Sequence, residues 1–228
     1  IVFVTTIHQS FESYSYSNSL SIAQKQEWIK VKGRFREITF NEPVEQLLFL
    51  ASEHIGEKSR LRISNEEVKH CRDAVIETKA FNFNQKFLDE IAEKLYPLDI
   101  LAANVLTLSL QRYGQNERSL FTFLESTDHT GLRKSRLEKS NFYNLSNVYD
   151  YLNFNFYSFL TSKYNPDLAS WSAIRLSLDR VERSFDNYID DIEKVVKVIG
   201  LINLFGADGL ILNHATLGNY LKIACGIS

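Results

Sequence analysis

Methionine is absent from this sequence, although a chain of 228 residues would ordinarily carry several. The chain also opens on Ile1-Val2-Phe3, inside an apolar, β-branched run and without an initiator. Both features predict part of a longer polypeptide, or a sequence from which residues have been lost, and hence an active site that is not complete in itself. Cysteine is scarce. Cys71 and Cys225 stand far apart without C-x-x-C spacing, which reads as reduced, mostly buried thiols of an intracellular protein. Proline occurs three times, and each falls at a helix boundary: Pro43 in a first turn, Pro97 between two helices, and Pro166 in a break. No apolar run reaches membrane-spanning length, and no basic-then-apolar leader pattern occurs, so a soluble cytoplasmic protein with no membrane partner is expected. Neither sign of charge dominates. A net charge of -2 with 24% charged residues excludes a globally basic nucleic-acid binder and leaves a local basic patch open.

Familiar catalytic motifs are missing too. There is no Gly-x-x-x-x-Gly-Lys-Ser/Thr phosphate loop, no Gly-x-Gly-x-x-Gly turn and no Gly-x-Ser-x-Gly elbow. His8, His54, His70, His129 and His214 are scattered without metal-ligand spacing, and no carboxylate pair stands out. No metal site is expected within the chain. By its complete motifs this is not a self-contained enzyme of an identifiable type.

What is present is helical periodicity. Ile1 to Ile7 and Ile38-Thr39-Phe40 read as short strands, the first changing abruptly to the polar His8-Gln9-Ser10, where open α/β sheets bind ligands. Between them, residues 19–32 suit a helix stopped by Gly33, followed by the basic stretch Lys30 to Arg36. Asn41 is placed to cap a helix that starts at Glu42-Pro43, turns Leu47, Leu48, Leu50 and Ile55 inward and stops at Gly56. Residues 65–78, 85–95, 98–113 and 116–125 read as further helices, and 126–141 as a charged, mobile connecting loop. Asn144 or Ser146 caps an unusually aromatic helix, broken at Asn165-Pro166. A helix from about Asp167 then places Leu168, Trp171, Ile174, Leu178 and Val181 inside, with Arg175, Arg180 and Arg183 available for the surface. Aromatic and basic residues interleaved in these two helices suit a nucleic-acid platform, but their helical spacing favours core packing. The last stretch, from Ile189, is an apolar helix ending at Gly206, a turn, and a helix beginning near His214 or Ala215, the order in which a winged helix opens.

At the centre lies Arg112-Tyr113-Gly114-Gln115-Asn116-Glu117-Arg118-Ser119-Leu120-Phe121-Thr122-Phe123-Leu124. Gly114 suits a helix C-terminus and Asn116 caps the next helix, which accounts for the junction by local chemistry alone. Gln115, Glu117 and Arg118 lie at an N-terminus whose backbone donors favour an anion, so the junction equally suits an arginine meeting a nucleotide phosphate.

Thr5-Thr6-Ile7-His8-Gln9-Ser10-Phe11-Glu12, Glu27 to Phe35, Leu95-Tyr96-Pro97-Leu98 and the Arg112 to Leu124 block resemble successive motifs of large bacterial P-loop ATPases of the AAA+ type. The nearest group is the ATP-binding proteins of phage-defence loci, including the large ATPase of bacteriophage-exclusion (BREX-type) systems. Lys194 to Phe205 resembles the later helical region of that family. The resemblance touches most of the chain, and the block from Gln115 to Leu124 is its most specific part. It implies a mainly α chain divided into the last strands of a P-loop α/β core (1–40), a helical lid bundle (41–130), a helical region (131–187) and the start of a winged-helix-like module (188–228). It also implies ATP and Mg in the parent protein, with Thr5, Thr6, His8, Gln9, Gln115 and Asn116 near the nucleotide. Arg34 or Arg36 would be placed like an arginine finger reaching a neighbouring subunit's nucleotide, and Arg118 would be the lid arginine. An arginine finger contributes roughly a thousandfold or more in rate. The resemblance departs where the phosphate loop, its lysine and the metal-binding acids should stand, so the fragment alone should be inactive. Arg34 and Arg36 also read as surface charges flanking a buried Phe35, Arg118 as a partner of Glu117 or Glu125, and His8 as a polar strand end.

Two functions follow as expectations. One is part of an ATPase module that couples ATP to a nucleic-acid or protein partner, forming a homo-oligomer through an arginine-finger interface. The other is a non-enzymatic helical module with a winged-helix end that binds DNA or a partner protein.

Overall fold

Six of the described helices begin at a capping side chain: Ser21, Ser64, Asn84, Asp99, Asn144 and Asn213. A computed structural model describes residues 4, 21–36, 43–56, 64–113, 120–134, 141–185 and 187–227. Among the described residues the regular structure is α-helical, ten helices and no strand. Both expected strands lie outside the described residues except for Val4, which is exposed. The chain divides into residues 1–42 and residues 43–228.

In the first unit, α1 (Ile22–Lys32) begins at a Ser21 capping box, in which the Gln24 amide donates to Ser21 Oγ and Gln24 Oε1 accepts from the Ser21 amide. The helix therefore begins three residues after the expected Ser19, at Ile22, directly behind its cap. Ile22 and Ile29 on this helix are exposed. The Arg34 amide closes the final turn on the Val31 carbonyl at 3.0 Å. Phe35, expected to be buried, is 41% exposed.

The second unit contains α2 (Val44–Gly56), α3 (Asn65–Glu77), α4 (Gln85–Leu95), α5 (Ile100–Tyr113), α6 (Leu120–Glu125), α7 (Leu145–Leu160), α8 (Leu168–Ser184), α9 (Ile189–Phe205) and α10 (His214–Cys225). Ser64 with Glu67, Asn144 with Asn147, and Asn213 with Thr216 form capping boxes at α3, α7 and α10. Helix α5 starts at Ile100 rather than Leu98 because Leu98 bridges to Tyr143 and the Asp99 carboxylate caps the helix through the Ala102 amide at 2.8 Å.

Helix α5 is the axis of this unit. Ile100 to Leu106 are all buried, and Thr107 and Ser109 turn their hydroxyls back to the Ala103 and Val105 carbonyls, so the helix buries polar residues without orphaning them. Helix α2 packs on α4 and α5, α7 on α5 and α9, α8 on α9, and α10 on α3. One hydrophobic core runs from Leu48 to Cys225 through all of them. The turn after α9 is hooked onto the end of α3, with the Ala207 amide on the Ala80 carbonyl at 2.9 Å and the Ile211 amide on the Thr78 carbonyl at 2.8 Å.

Two expected core assignments change. Helix α2 turns Leu48, Ala51, Ser52 and Ile55 inward at the i, i+3, i+4, i+7 spacing, and that face leaves Leu50 43% exposed. Helix α7 has more apolar residues than one face accommodates, so Phe154 and Tyr157 face out. The described part of the expected loop, residues 126–134, is anchored: Tyr143 donates its hydroxyl to the Thr130 carbonyl at 2.7 Å, and Arg133 pairs with Glu125.

Candidate functional site

The C-terminus of α5 carries the first two residues of the central junction, and both are tied to other helices. Tyr113 is buried, and its hydroxyl donates to Asp167 Oδ2 at 2.7 Å while accepting from Trp171 Nε1 at 3.0 Å. Arg112 reaches the same Asp167 oxygen at 3.1 Å and lies over the Phe205 ring, 5.0 Å from its centroid. Asp167 occupies the N-cap position of α8 but makes no side-chain cap bond, because its carboxylate faces Arg112 and Tyr113 instead. Burial pushes the Tyr113 hydroxyl well above the usual phenol range, helped by the neighbouring Asp167 carboxylate, so it is a neutral donor rather than a base. Leu120, the first residue of α6, is buried as well. Tyr113 and Leu120, the described residues on either side of 114–119, therefore belong to one core.

Trp171 stacks on Tyr149 at 5.7 Å, which leads from this hub to an open groove of about 550 Å³ between α7, α8 and α9. Lys197 pairs there with Asp150 at 2.8 Å, and Arg175 lies over Tyr157. Asp179, Glu182 and Glu193 also line it. With two cations set among four carboxylates, the groove is unsuited to a phosphate.

A second polar centre is sealed in the core. Asp99 Oδ2 accepts from the Tyr220 hydroxyl at 2.9 Å, and that hydroxyl accepts from the Leu145 amide at 3.1 Å. Asn144 donates to the Ala224 carbonyl at 3.0 Å. Burial raises the Asp99 carboxyl to about 7, against hydrogen bonds from Ala102 and Tyr220 that favour the anion. Burial also pushes the Cys71 and Cys225 thiols up, so neither is an activated nucleophile. This centre fastens α5, α7 and α10 together and is closed to substrate.

Of the residues singled out from sequence, Thr5, Thr6, His8, Gln9, Gln115, Asn116 and Arg118 lie outside the described residues. Arg34 and Arg36 are exposed in the first unit, beyond the end of α1. Among the described residues no group of three or more His, Cys, Asp or Glu side chains is placed to hold a metal. His54 is paired with Glu125 at 2.6 Å and packs edge-on against Phe121, a tie between α2 and α6. Sequence reasoning did not find the roles of Asp99, Tyr220 and Asp167. The aspartates carried only an N-cap signal, each standing just before an apolar helix, and nothing local announced Tyr220 or the Tyr113–Trp171 pair.

Comparison with protein families, curated proteins and solved structures finds no match to this chain.

Proposed function

We propose that this chain is the helical part of a P-loop ATPase module of the AAA+ type, of the kind found in phage-defence loci, and that residues 43–228 pass the state of a nucleotide to a partner. The finer organisation belongs to the same proposal: last strands of an α/β core in residues 1–40, a lid bundle in 41–130, and a winged-helix-like opening in 188–228. The sequence motifs motivate it. The observation that carries it is the fastening of Arg112 and Tyr113 to Asp167, Trp171 and Phe205. The junction motif starts on these two residues, so a displacement of segment 114–119 would be transmitted to α8 and α9 rather than dissipated in a loose linker. Phosphate loop, lysine and metal ligands would be supplied outside this sequence, with Arg118 as the lid arginine and Arg34 or Arg36 reaching a neighbouring subunit.

The test is ATP turnover by the full-length protein. Arg118→Ala and Arg34→Ala should each lower it by roughly tenfold or more, with circular dichroism unchanged. Unchanged turnover in both variants removes the reading. Tyr113→Phe should leave nucleotide affinity in place while weakening the response of the partner-binding step.

A further inference from the structure

We propose that the groove between α7, α8 and α9 receives a basic, amphipathic segment of a partner protein. The groove already displays the required chemistry with its own side chains. Lys197 Nζ lies 5.7 Å from the Tyr149 ring centroid, and the Arg175 guanidinium lies at the same 5.7 Å from that of Tyr157. Tyrosine faces flanked by carboxylates attract cations through the ring quadrupole and through charge. The charges are not balanced internally. Lys197 is committed to Asp150 at 2.8 Å, with Glu193 at 3.9 Å, while Asp179 and Glu182 stand exposed on the α8 rim.

That rim is apolar as well as acidic. Leu176 is 52% exposed and lies one helical turn from Asp179, which lies one turn from Glu182, and Tyr157 across the groove is 53% exposed. Leucine and tyrosine offer apolar area, and the two carboxylates beside them select the sign of the partner. A segment with apolar residues on one side and arginine or lysine beside them satisfies both. Nucleic acid does not, because its phosphates would face the carboxylate excess. The proposal stands independently of the ATPase reading.

The test is fluorescence anisotropy of a labelled Leu/Arg amphipathic peptide titrated with the 228-residue chain at low salt. Saturable binding is expected, weakened roughly tenfold by the double reversal Asp179→Lys/Glu182→Lys and several-fold by the neutral Leu176→Ser. Glu66→Lys/Glu90→Lys, an equal change of charge away from the groove, should alter binding by less than about twofold. All the substituted residues are exposed, and circular dichroism of each variant should match that of the native chain. No binding, an equal loss in both double variants, or equally tight binding of a Leu/Glu peptide or of duplex DNA would overturn the proposal. So would peptide binding that appears only when sedimentation shows the chain pairing with itself through this groove.

Discussion

Folding takes the Asp99 carboxyl out of water and holds it between the α5 N-terminus and the Tyr220 hydroxyl. Its ordinary value is 3.8, and burial raises it to about 7. Well below pH 3.8 the group is protonated in both folded and unfolded chains, and its burial sets no charge against the core. As pH rises through about 7 the unfolded chain has already released the proton that the fold retains, so this group's contribution is lost, by up to about 4 kcal/mol at alkaline pH. Asp99→Asn keeps a capping oxygen toward Ala102 and removes the titration. Urea midpoints measured at pH 5 and pH 8 should fall with pH for the native chain and stay level, as regards this group, for the variant. A parallel fall in both would assign the dependence elsewhere.

At the scale of elements, α8 and α9 approach closely at Gly200. A Cβ placed on Gly200 would meet Ile174 Cδ1 at 2.6 Å, so glycine here lets the two helices touch. Gly200→Val should destabilise the chain by about 1–3 kcal/mol through overpacking, and Ile174→Ala in the same chain should recover part of that loss. Thermal unfolding of the two single variants and the double variant measures the coupling. Additive losses would mean that the two sites do not share the contact. Helix boundaries were largely legible from sequence: α4 runs over the predicted Gln85 to Leu95, and α9 ends at Phe205, against the predicted stop at Gly206. Their legibility has a local cause, since caps and the 3.6-residue period act within one or two turns. Facing was less legible. Leu50, Phe154 and Tyr157 satisfy helical periodicity as well as their buried neighbours do, and only the packing partners of α2 and α7 exclude them from the core.

At the scale of the whole molecule, residues 43–228 share one hydrophobic core, with Asp99 and Tyr113 joining helices distant in sequence. The predicted consequence is a single cooperative unfolding transition for this unit. In a Trp28→Phe background, Trp171 fluorescence and far-UV ellipticity should lose their native signals at the same urea concentration. Separate midpoints would show that α8 and α9 unfold apart from the rest. No helix among the described residues is long and apolar enough to cross a membrane.

The sequence by itself determined that the chain is mainly α and where most helices begin and end. Those properties rest on side chains acting within a few residues of one another. Tertiary structure alone decided that Tyr113 meets Asp167 and Trp171, that Asp99 is sealed beneath Tyr220, and that α7, α8 and α9 leave an acidic, aromatic groove. Each of these joins residues between 54 and 121 positions apart, or depends on three helices meeting at once. Helical periodicity records which residues can face inward; the partner they face is set by packing the whole chain.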